Sequence, residues 1–480
     1  MLQTLKNAWS TKEIRSKLLF TLFILLLYRV GTVIPVPFVE ANGFSSYLSG
    51  TILQYMDVLS GGSMSNLTLF ALGVQPYINA SIIIQLLAVV FPKLGELSKT
   101  DKKKMNFITR IVTVVIAVVT AVGYYFLLSN GDGTNTYLTH RATGSMGWFY
   151  GIVIVVCYTA GACLVMWLAE RINERGIGNG ISMILFANIV SAVPSFVYKL
   201  VDLVLLTYGY PVQKWLYASV TTLFAILLIA FLIGLIAFVI YVTGSERRIP
   251  VQYAKKVVGR KMYGGQSTHL PIKLNMTGVM PIIFASSIVT FIPTVLQIVA
   301  GALPNGLPAG WQKFAEIIGT NGVVYPILLF ILIIGFAYFY TQITFDPIEV
   351  ANNLKKNGGA IPGIRQGRPT ADHIKKILNK ITLAGAIFLS FIAIIPTLLG
   401  PHVFHHIFHW IVLGGYQESI QMVPGYAAIY EYIAEQNAAQ LVSVFTFGGT
   451  TLLIVVGVAI ETFRELEAQL TMRNYKGFLN

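Results

Sequence analysis

Residues 58–92 read VLSGGSMSNLTLFALGVQPYINASIIIQLLAVVFP, an apolar stretch of 35 residues that Gly73 and Pro76 interrupt near its middle. A helix that spans a membrane needs only about 20 apolar residues. The surplus before Gly73 contains serine, asparagine and threonine, so it is too polar to face lipid and too apolar for an ordinary exposed loop. Interrupted backbone at membrane depth is tolerated only where protein or water covers it. The stretch therefore predicts a short helix that dips into a water-lined cavity, which is typical of a channel or a carrier.

The composition of the chain is that of an all-α polytopic membrane protein. Of its 480 residues, 55% are hydrophobic and only 11% are charged, against roughly 25% charged in an average soluble domain. Hydropathy predicts ten spans, near residues 18–37, 74–91, 107–128, 148–169, 181–199, 215–243, 276–299, 322–345, 379–399 and 443–462. The first span is too long for a cleaved signal peptide, so we expect it to remain as a helix.

Positive charge orients these spans, because Lys and Arg in short loops stay on the cytoplasmic side of a membrane. With the N-terminus inside, 29 of the 34 Lys and Arg residues fall in the N-terminal arm, the even-numbered loops and the tail. The others are Arg29, Arg141, Lys199, Lys214 and Lys313. Both termini are therefore predicted to be cytoplasmic. The net charge of +14 then forms a basic cytoplasmic face that attracts anionic lipids.

The ten spans divide into two predicted halves, residues 1–200 and 201–480. Because each half has an odd number of spans, halves of similar structure would lie in the membrane with opposite orientation. Inverted repeats of this kind place a transport pathway at the interface between them.

Two long basic loops in the second half are predicted to be cytoplasmic, at 244–275 and 346–378. In the first loop, Ile249 and Val251 alternate with polar residues, which predicts a hairpin ribbon. The arginines of both loops would suit a ribosomal RNA surface or an acidic protein partner. The alternative is that these loops serve only to orient the chain.

Five motifs are spread along the chain: ALGVQPYINASIIIQLL at 71–87, ERGIGNGIS at 174–182, QSTHLPIKLNMTGVMPIIFASSI at 266–288, NLKKNGGAIPGIR at 353–365 and FGGTTLLIVVGVAIET at 447–462. Together they resemble the SecY family of bacterial protein-conducting channels. The resemblance implies an hourglass pore between two inverted five-helix halves. It also implies a short re-entrant plug helix at about residues 59–72 and a ring of apolar side chains at the waist.

The resemblance assigns the ring and the plug residue by residue. The implied ring consists of Val74, Ile78, Ile181, Leu185, Ile283 and Ile454. The implied plug consists of Ser60, Gly61, Gly62, Ser63, Met64, Ser65, Asn66, Leu67, Thr68, Leu69 and Phe70. An apolar ring offers water no hydrogen bonds, so it blocks ions without selecting any particular side chain for passage. Because its glycines and serines bury little apolar area, we expect the plug to be loosely held.

The resemblance further implies a lateral gate between spans two and three on one side and seven and eight on the other. Gln85 and Asn275 are the polar residues at this seam, and their amides are expected to hydrogen-bond across it, at roughly 1 kcal/mol each. An ordinary interhelical bond is the alternative for either residue. Arg260, Lys261 and Arg365 lie where the family contacts the ribosome or the motor ATPase SecA.

The implied function is translocation of unfolded secretory polypeptides across the bacterial plasma (inner) membrane, with lateral release of transmembrane segments into the bilayer. The implied partners are the small membrane subunits SecE and SecG, SecA, the ribosome, preproteins with signal peptides, and membrane lipids, but not DNA. The chain has no GxxxxGK[ST] motif, so energy would come from a partner, and no cofactor is implied.

The predicted external loop 400–442 is longer than the resemblance leads us to expect. His402, His405, His406 and His409 would share one face of a helix, and His at i and i+4 can chelate a metal. An amphipathic helix lying at the membrane interface explains the neighbouring Phe and Trp residues better, so no metal site is assigned.

Two other classes of protein compete with a polypeptide channel. A secondary transporter would share inverted halves and a broken helix, but transporters usually place ionisable groups at the midplane. Acidic residues of this chain instead cluster at span ends, at Glu170, Asp346, Glu349 and Glu461. An intramembrane enzyme would need paired carboxylates, an activated serine or a metal within the spans, and the sequence offers no such set, so no enzyme activity is predicted.

Overall fold

The computed structural model describes residues 2–48, 52–130, 136–139, 147–208, 214–253, 256–258, 261–263, 267–303, 308–318, 324–399 and 448–476. These residues form mainly helices. In chain order the helices are α1 (Leu2–Ser10), α2 (Lys12–Gly31), α3 (Phe44–Leu48), α4 (Ile52–Ser60), α5 (Gln75–Val90), α6 (Pro92–Thr100), α7 (Lys102–Asn130), α8 (Gly147–Arg175), α9 (Gly180–Tyr208), α10 (Lys214–Gly244), α11 (Met280–Ala302), α12 (Ala309–Ile318), α13 (Val324–Thr344), α14 (Pro347–Lys356), α15 (Arg368–Leu399) and α16 (Gly448–Lys476).

Each of the ten predicted spans overlaps one of these helices. Among the described residues, α7, α8, α9, α10, α13 and α15 are long and apolar enough to cross a membrane. A seventh candidate is α5 taken with α6, which are bent by 117° relative to each other. Helix α15 begins at Arg368 and α16 reaches Lys476, well outside the predicted spans. Hydropathy detects only the apolar part of a helix, so it misses such polar extensions.

By their position in the chain the long helices are divided into two groups, which meet along two lines of contact. One group contains α2, α5, α7, α8 and α9, and the other contains α10, α11, α13, α15 and α16. Between the groups, α9 contacts α10 and α16, while α11 contacts α5 and α7. One hydrophobic core runs through both groups, and a second core lies within the first group. The inverted relation of the halves 1–200 and 201–480 stays a prediction.

The two long loops fold together into a small domain. Strand β1 (Glu246–Tyr253) pairs antiparallel with β4 (Ser267–Lys273), and β2 (Lys256–Val258) pairs with β3 (Lys261–Tyr263) beyond them. Strand β5 (Gly359–Ala360), which comes from the second loop, pairs with the other edge of β1. The predicted hairpin ribbon is therefore confirmed.

The second loop is held to the first by a shared core. Ile249 and Val251, the alternating residues of β1, are buried with Ile361 and Ile374 from the second loop. Asp346 caps α14, since its Oδ1 accepts a hydrogen bond from the Ile348 N–H at 2.8 Å. The second loop is consequently more regular than its Gly and Pro content indicated.

Candidate pore and plug site

The six predicted ring side chains come together in one hydrophobic cluster. Val74, Ile78, Leu185, Ile283 and Ile454 are buried, and the half-buried Ile181 packs against them. They belong to α5 and the residue before it, to α9, to α11 and to α16, so both helix groups contribute. The six ring side chains themselves are all alkyl groups, which form no hydrogen bonds with water.

A cavity of about 1340 Å³ lies on one side of this cluster. Ile78, Ile181 and Ile283 line it, together with polar side chains such as Gln85 and Tyr340. The wall of the cavity also includes the start of α15 and the end of α13, next to the domain formed by the two long loops. We call this cavity the funnel, and three of the six predicted ring residues therefore border it.

The plug segment, residues 60–70, begins at a small void that two of the ring residues also line. Leu59, Ser60 and Leu72 enclose a small void together with the ring residues Val74 and Leu185. The prediction of a short helix over about 59–72 is wrong, because helix α4, Ile52–Ser60, ends at the start of that range. Residues 61–74 form consecutive turns, because Gly61, Gly62 and Gly73 adopt positive φ angles that end and redirect the helix.

The plug segment is also packed more tightly than we predicted. Met64, Leu67 and Phe70 are all less than 5% exposed. A Cβ atom at Gly161 would lie 1.9 Å from the Leu69 carbonyl oxygen, and one at Gly31 would lie 2.0 Å from the Phe70 ring. Glycines on α8 and α2 therefore let the segment sit directly against both helices, which the count of small residues within the segment itself did not indicate.

Hydrogen bonds hold the polar residues of the plug segment. The Ser63 hydroxyl donates to the Ser60 carbonyl at 2.9 Å, and the Thr68 hydroxyl donates to the Ser63 carbonyl at 3.1 Å. The Ser65 N–H donates to Asp57 Oδ1 at 2.7 Å. The polar side chains that made this stretch unusual in sequence thus stabilise its own turns.

Three residues outside the segment also contact its start. Asn188 on α9 donates a hydrogen bond to the Leu59 carbonyl, and Arg29 on α2 donates one to the Gly61 carbonyl. Tyr28 accepts a second hydrogen bond from Asn188. Sequence reasoning did not identify Asn188 or Tyr28. A single asparagine inside the apolar span 181–199 was the available signal.

At the predicted lateral gate, one of the two amides bonds across the seam. The Tyr340 hydroxyl on α13 donates to Gln85 Oε1 on α5 at 2.6 Å, which joins the two helix groups. Asn275 instead accepts a local hydrogen bond from the Thr277 hydroxyl at 3.4 Å. Asn275 lies between β4 and α11, two residues before Thr277, so the Thr277 hydroxyl reaches the Asn275 carboxamide oxygen. The structure supports a bond across the seam for Gln85, with a partner that the sequence did not reveal.

The predicted docking residues lie on the domain formed by the two long loops. Arg365 is exposed in the turn between β5 and α15, and Lys261 begins β3 at the far end of the ribbon. Arg260 lies outside the described residues. At the base of the ribbon, burial lowers the pKa of Lys273, and the nearby Arg464 guanidinium lowers it further.

No cluster of metal ligands occurs within the described ranges, and the histidines of loop 400–442 fall outside them. Cys157 and Cys163 are free thiols on α8. The chemistry of the site thus rests on an apolar constriction, a packed plug segment and a hydrogen-bonded seam.

This arrangement is that of a class of helical membrane protein in which apolar side chains lie next to a large cavity and to a packed, non-helical segment. The SecY family model matches residues 68–463. The protein translocase subunit SecY of Streptomyces galbus is 39% identical over the full length of both chains, as is that of Mycobacterium tuberculosis. The chain belongs to the SecY family.

Solved structures agree with this fold at low sequence identity. A SecY channel whose plug domain is described as stabilising the closed state and maintaining a membrane seal has a TM-score of 0.56 at 16% identity, covering 95% of this chain and 92% of that one. The canine Sec61 of a ribosome-channel complex from the endoplasmic reticulum has a TM-score of 0.57 at 17% identity, with the same coverage. The chain therefore has the fold of protein-conducting channels.

Proposed function

We propose that this chain is the pore-forming subunit of a protein-conducting channel and that the structure corresponds to its closed state. The proposal is supported by the six predicted ring side chains, which are alkyl groups from both helix groups within one hydrophobic core. Three of them border the funnel, and two line a small void next to Ser60 of the plug segment. A polypeptide of any sequence can pass such a ring, because the ring makes no specific contact with side chains. When no polypeptide is present, the same ring excludes water and ions.

The proposed orientation places both termini and the two long loops in the bacterial cytoplasm. It rests on the distribution of the 34 Lys and Arg residues. In this orientation the funnel opens towards the loop domain, so a chain delivered by the ribosome or by SecA would enter the funnel directly. SecE and SecG are the proposed small membrane subunits of the complex.

A solute transporter is not favoured as an alternative. Ion-coupled carriers need polar or ionisable groups at the constriction. The ring has none, and Glu170, one of the acidic residues at span ends, forms an ion pair with Arg110 at 2.8 Å. Glu170 is therefore paired with a basic side chain and is not a free acidic group at the ring.

The test of the proposed function is reconstitution of the full complex in vesicles with an unfolded secretory protein, SecA and ATP. We expect substrate that is protected from added protease, and protection should require ATP. Vesicles without the chain are the control. Uptake of a small solute with no protected polypeptide would contradict the proposal.

A further prediction concerns the seam between α5 and α13. Gln85→Leu and Tyr340→Phe each remove the same interhelical hydrogen bond, which is worth roughly 1 kcal/mol in a membrane. We therefore expect either variant to open laterally more readily and to export a preprotein whose signal peptide is less apolar than the wild type requires. The measurement is export efficiency across a series of signal peptides of graded hydrophobicity.

The double variant provides the internal control for this prediction. Because both changes remove one bond, the double variant should relax selectivity no more than either single variant. Ser81→Ala, which alters the same cavity wall one helical turn before Gln85, should leave selectivity unchanged. Unchanged selectivity in both single variants would show that the bond does not hold the seam.

A further inference from the structure

We propose that Asn188, Arg29 and Tyr28 form a latch that keeps the channel closed by holding the main-chain carbonyl groups at the start of the plug segment. The inference rests on the proposed gating role of residues 60–70. It goes further because it names the residues, on α2 and α9, that hold the segment in place. These are positioning residues, since they act through the plug segment and not on the translocating chain.

The centre of the latch is the carboxamide of Asn188. This side chain is fully buried, and its Nδ2 donates to the Leu59 carbonyl at 2.7 Å and to the Tyr28 hydroxyl oxygen at 2.9 Å. One amide group therefore connects α9 to α2 and to the end of α4. Both of its N–H groups are used, which fixes its orientation.

Arg29 provides the second contact. Its Nη1 donates to the Gly61 carbonyl at 3.3 Å. The carbonyls of Leu59 and Gly61 lie at the C-terminal end of α4, where the last carbonyls of a helix have no donors within the helix. This end of a helix carries partial negative charge, so a guanidinium there is favourable. The latch thus binds main-chain carbonyl groups, which every helix presents at its C-terminal end.

Gly61 shows how closely the latch fits. Its φ is +70°, and a Cβ atom there would lie 2.8 Å from both Arg29 Nη1 and Asn188 Oδ1. A residue with a side chain would push the two latch groups aside. Farther along the segment, the Tyr28 ring stacks on Phe70 with centroids 5.3 Å apart. Helix α2 consequently contacts both ends of the plug segment, Gly61 through Arg29 and Phe70 through Tyr28.

The latch is also suited to release. Asn188 Oδ1 is buried, and among the described residues it has no hydrogen-bond donor. Leaving a buried acceptor unpaired is unfavourable, and water entering as the segment departs would satisfy it. Released Nδ2 and Nη1 groups would then face water or the carbonyls of a passing polypeptide, which are chemically the same as those of Leu59 and Gly61. The exchange requires no particular sequence in the substrate.

The test is the resting ion conductance of the full channel complex in planar bilayers, without substrate or motor. Asn188→Leu removes the amide at similar volume, and Arg29→Met removes the guanidinium but keeps an apolar stem. We expect each to raise resting conductance several-fold above wild type, towards the level of a channel lacking residues 60–70. Ser191→Ala is the matched control, because that hydroxyl donates only to the Asn188 carbonyl within the described contacts, and its conductance should equal wild type.

A combined variant separates the latch from general damage. In a channel lacking residues 60–70, Asn188→Leu should add no further conductance, because the latch has nothing left to hold. Additional conductance in the combined variant would overturn the latch. Wild-type conductance in both single variants would also overturn it, provided that the deletion itself conducts. If the deletion does not conduct, the gating role of the segment fails and the latch fails with it.

Assembly of the complex is checked by size-exclusion elution before any recording. If Asn188→Leu does not assemble, Arg29→Met and Tyr28→Phe decide the question. Tyr28→Phe keeps the ring on Phe70 and removes only the oxygen that orients Asn188. Resting conductance above the wild-type level in both variants supports the latch. Resting conductance at the wild-type level in both variants overturns it.

Discussion

Deletion of residues 60–70 is expected to make the resting channel conduct ions while export of secretory proteins continues. The segment packs Met64, Leu67 and Phe70 into the interior next to the ring. Burying one such side chain contributes about 1.5–3 kcal/mol. Loss of several of these contacts should therefore raise the open fraction of the resting channel by at least about tenfold, since each 1.4 kcal/mol changes an equilibrium by that factor.

Single-channel recording in planar bilayers measures this effect, and protease protection of a preprotein in vesicles measures export. Asn66→Ala is the matched control, because Asn66 is exposed and its side chain bonds only to the Gly62 carbonyl among the described contacts. That variant should stay closed. A deletion variant whose conductance remained at the closed level would show that the segment is not the gate.

Reversal of charge at Arg365 is expected to abolish motor-driven export without preventing insertion of the chain into the membrane. The residue is exposed, and the Thr370 hydroxyl donates to its carbonyl at 2.8 Å. The Gln366 side chain also bonds to the Gly359 carbonyl, so a structured turn presents the guanidinium. Glu at this position would lose a charge-assisted contact with a partner and would add repulsion. Loss of such a charge pair costs about 2–5 kcal/mol, which corresponds to a fall in export of roughly 30-fold or more.

ATP-dependent protection of a preprotein measures this fall, and the amount of the variant in membranes shows whether it inserts. Lys356→Glu is the control, because this exposed residue lies in the same loop and changes the net charge equally. Its export should stay close to that of the wild type. Normal SecA-driven export by Arg365→Glu would show that Arg365 is not part of the docking surface.

Sequence patterns predicted well wherever a single segment decides the outcome. The alternation of Ile249 and Val251 predicted the ribbon, and both residues face its core. The resemblance of motifs in four spans implied the six ring positions, and all six belong to one larger hydrophobic core. The main failure was the plug helix, where three glycines with positive φ override the apolar pattern. A pattern of apolar residues cannot show such a change of backbone direction.

The buried polar contacts were the part that sequence reasoning missed. Gln85 was expected at the seam, but its partner Tyr340 is 255 residues away, and nothing near either residue indicates the other. Asn275 was expected to behave like Gln85, yet its bond is local. Asn188 attracted no attention as one amide in an apolar helix, although it bonds to both α2 and the end of α4.

The sequence by itself determined the membrane class and, through its motifs, the family, and it predicted ten spans and an apolar ring. These properties depend on hydropathy, charge and motif over windows of about 20 residues, which is the length of one span. Only the tertiary structure decided which residues bond to the start of the plug segment. Asn188 meets its partners across 129 and 160 residues of chain, and the burial of an amide is favourable only when folding brings a donor and an acceptor together.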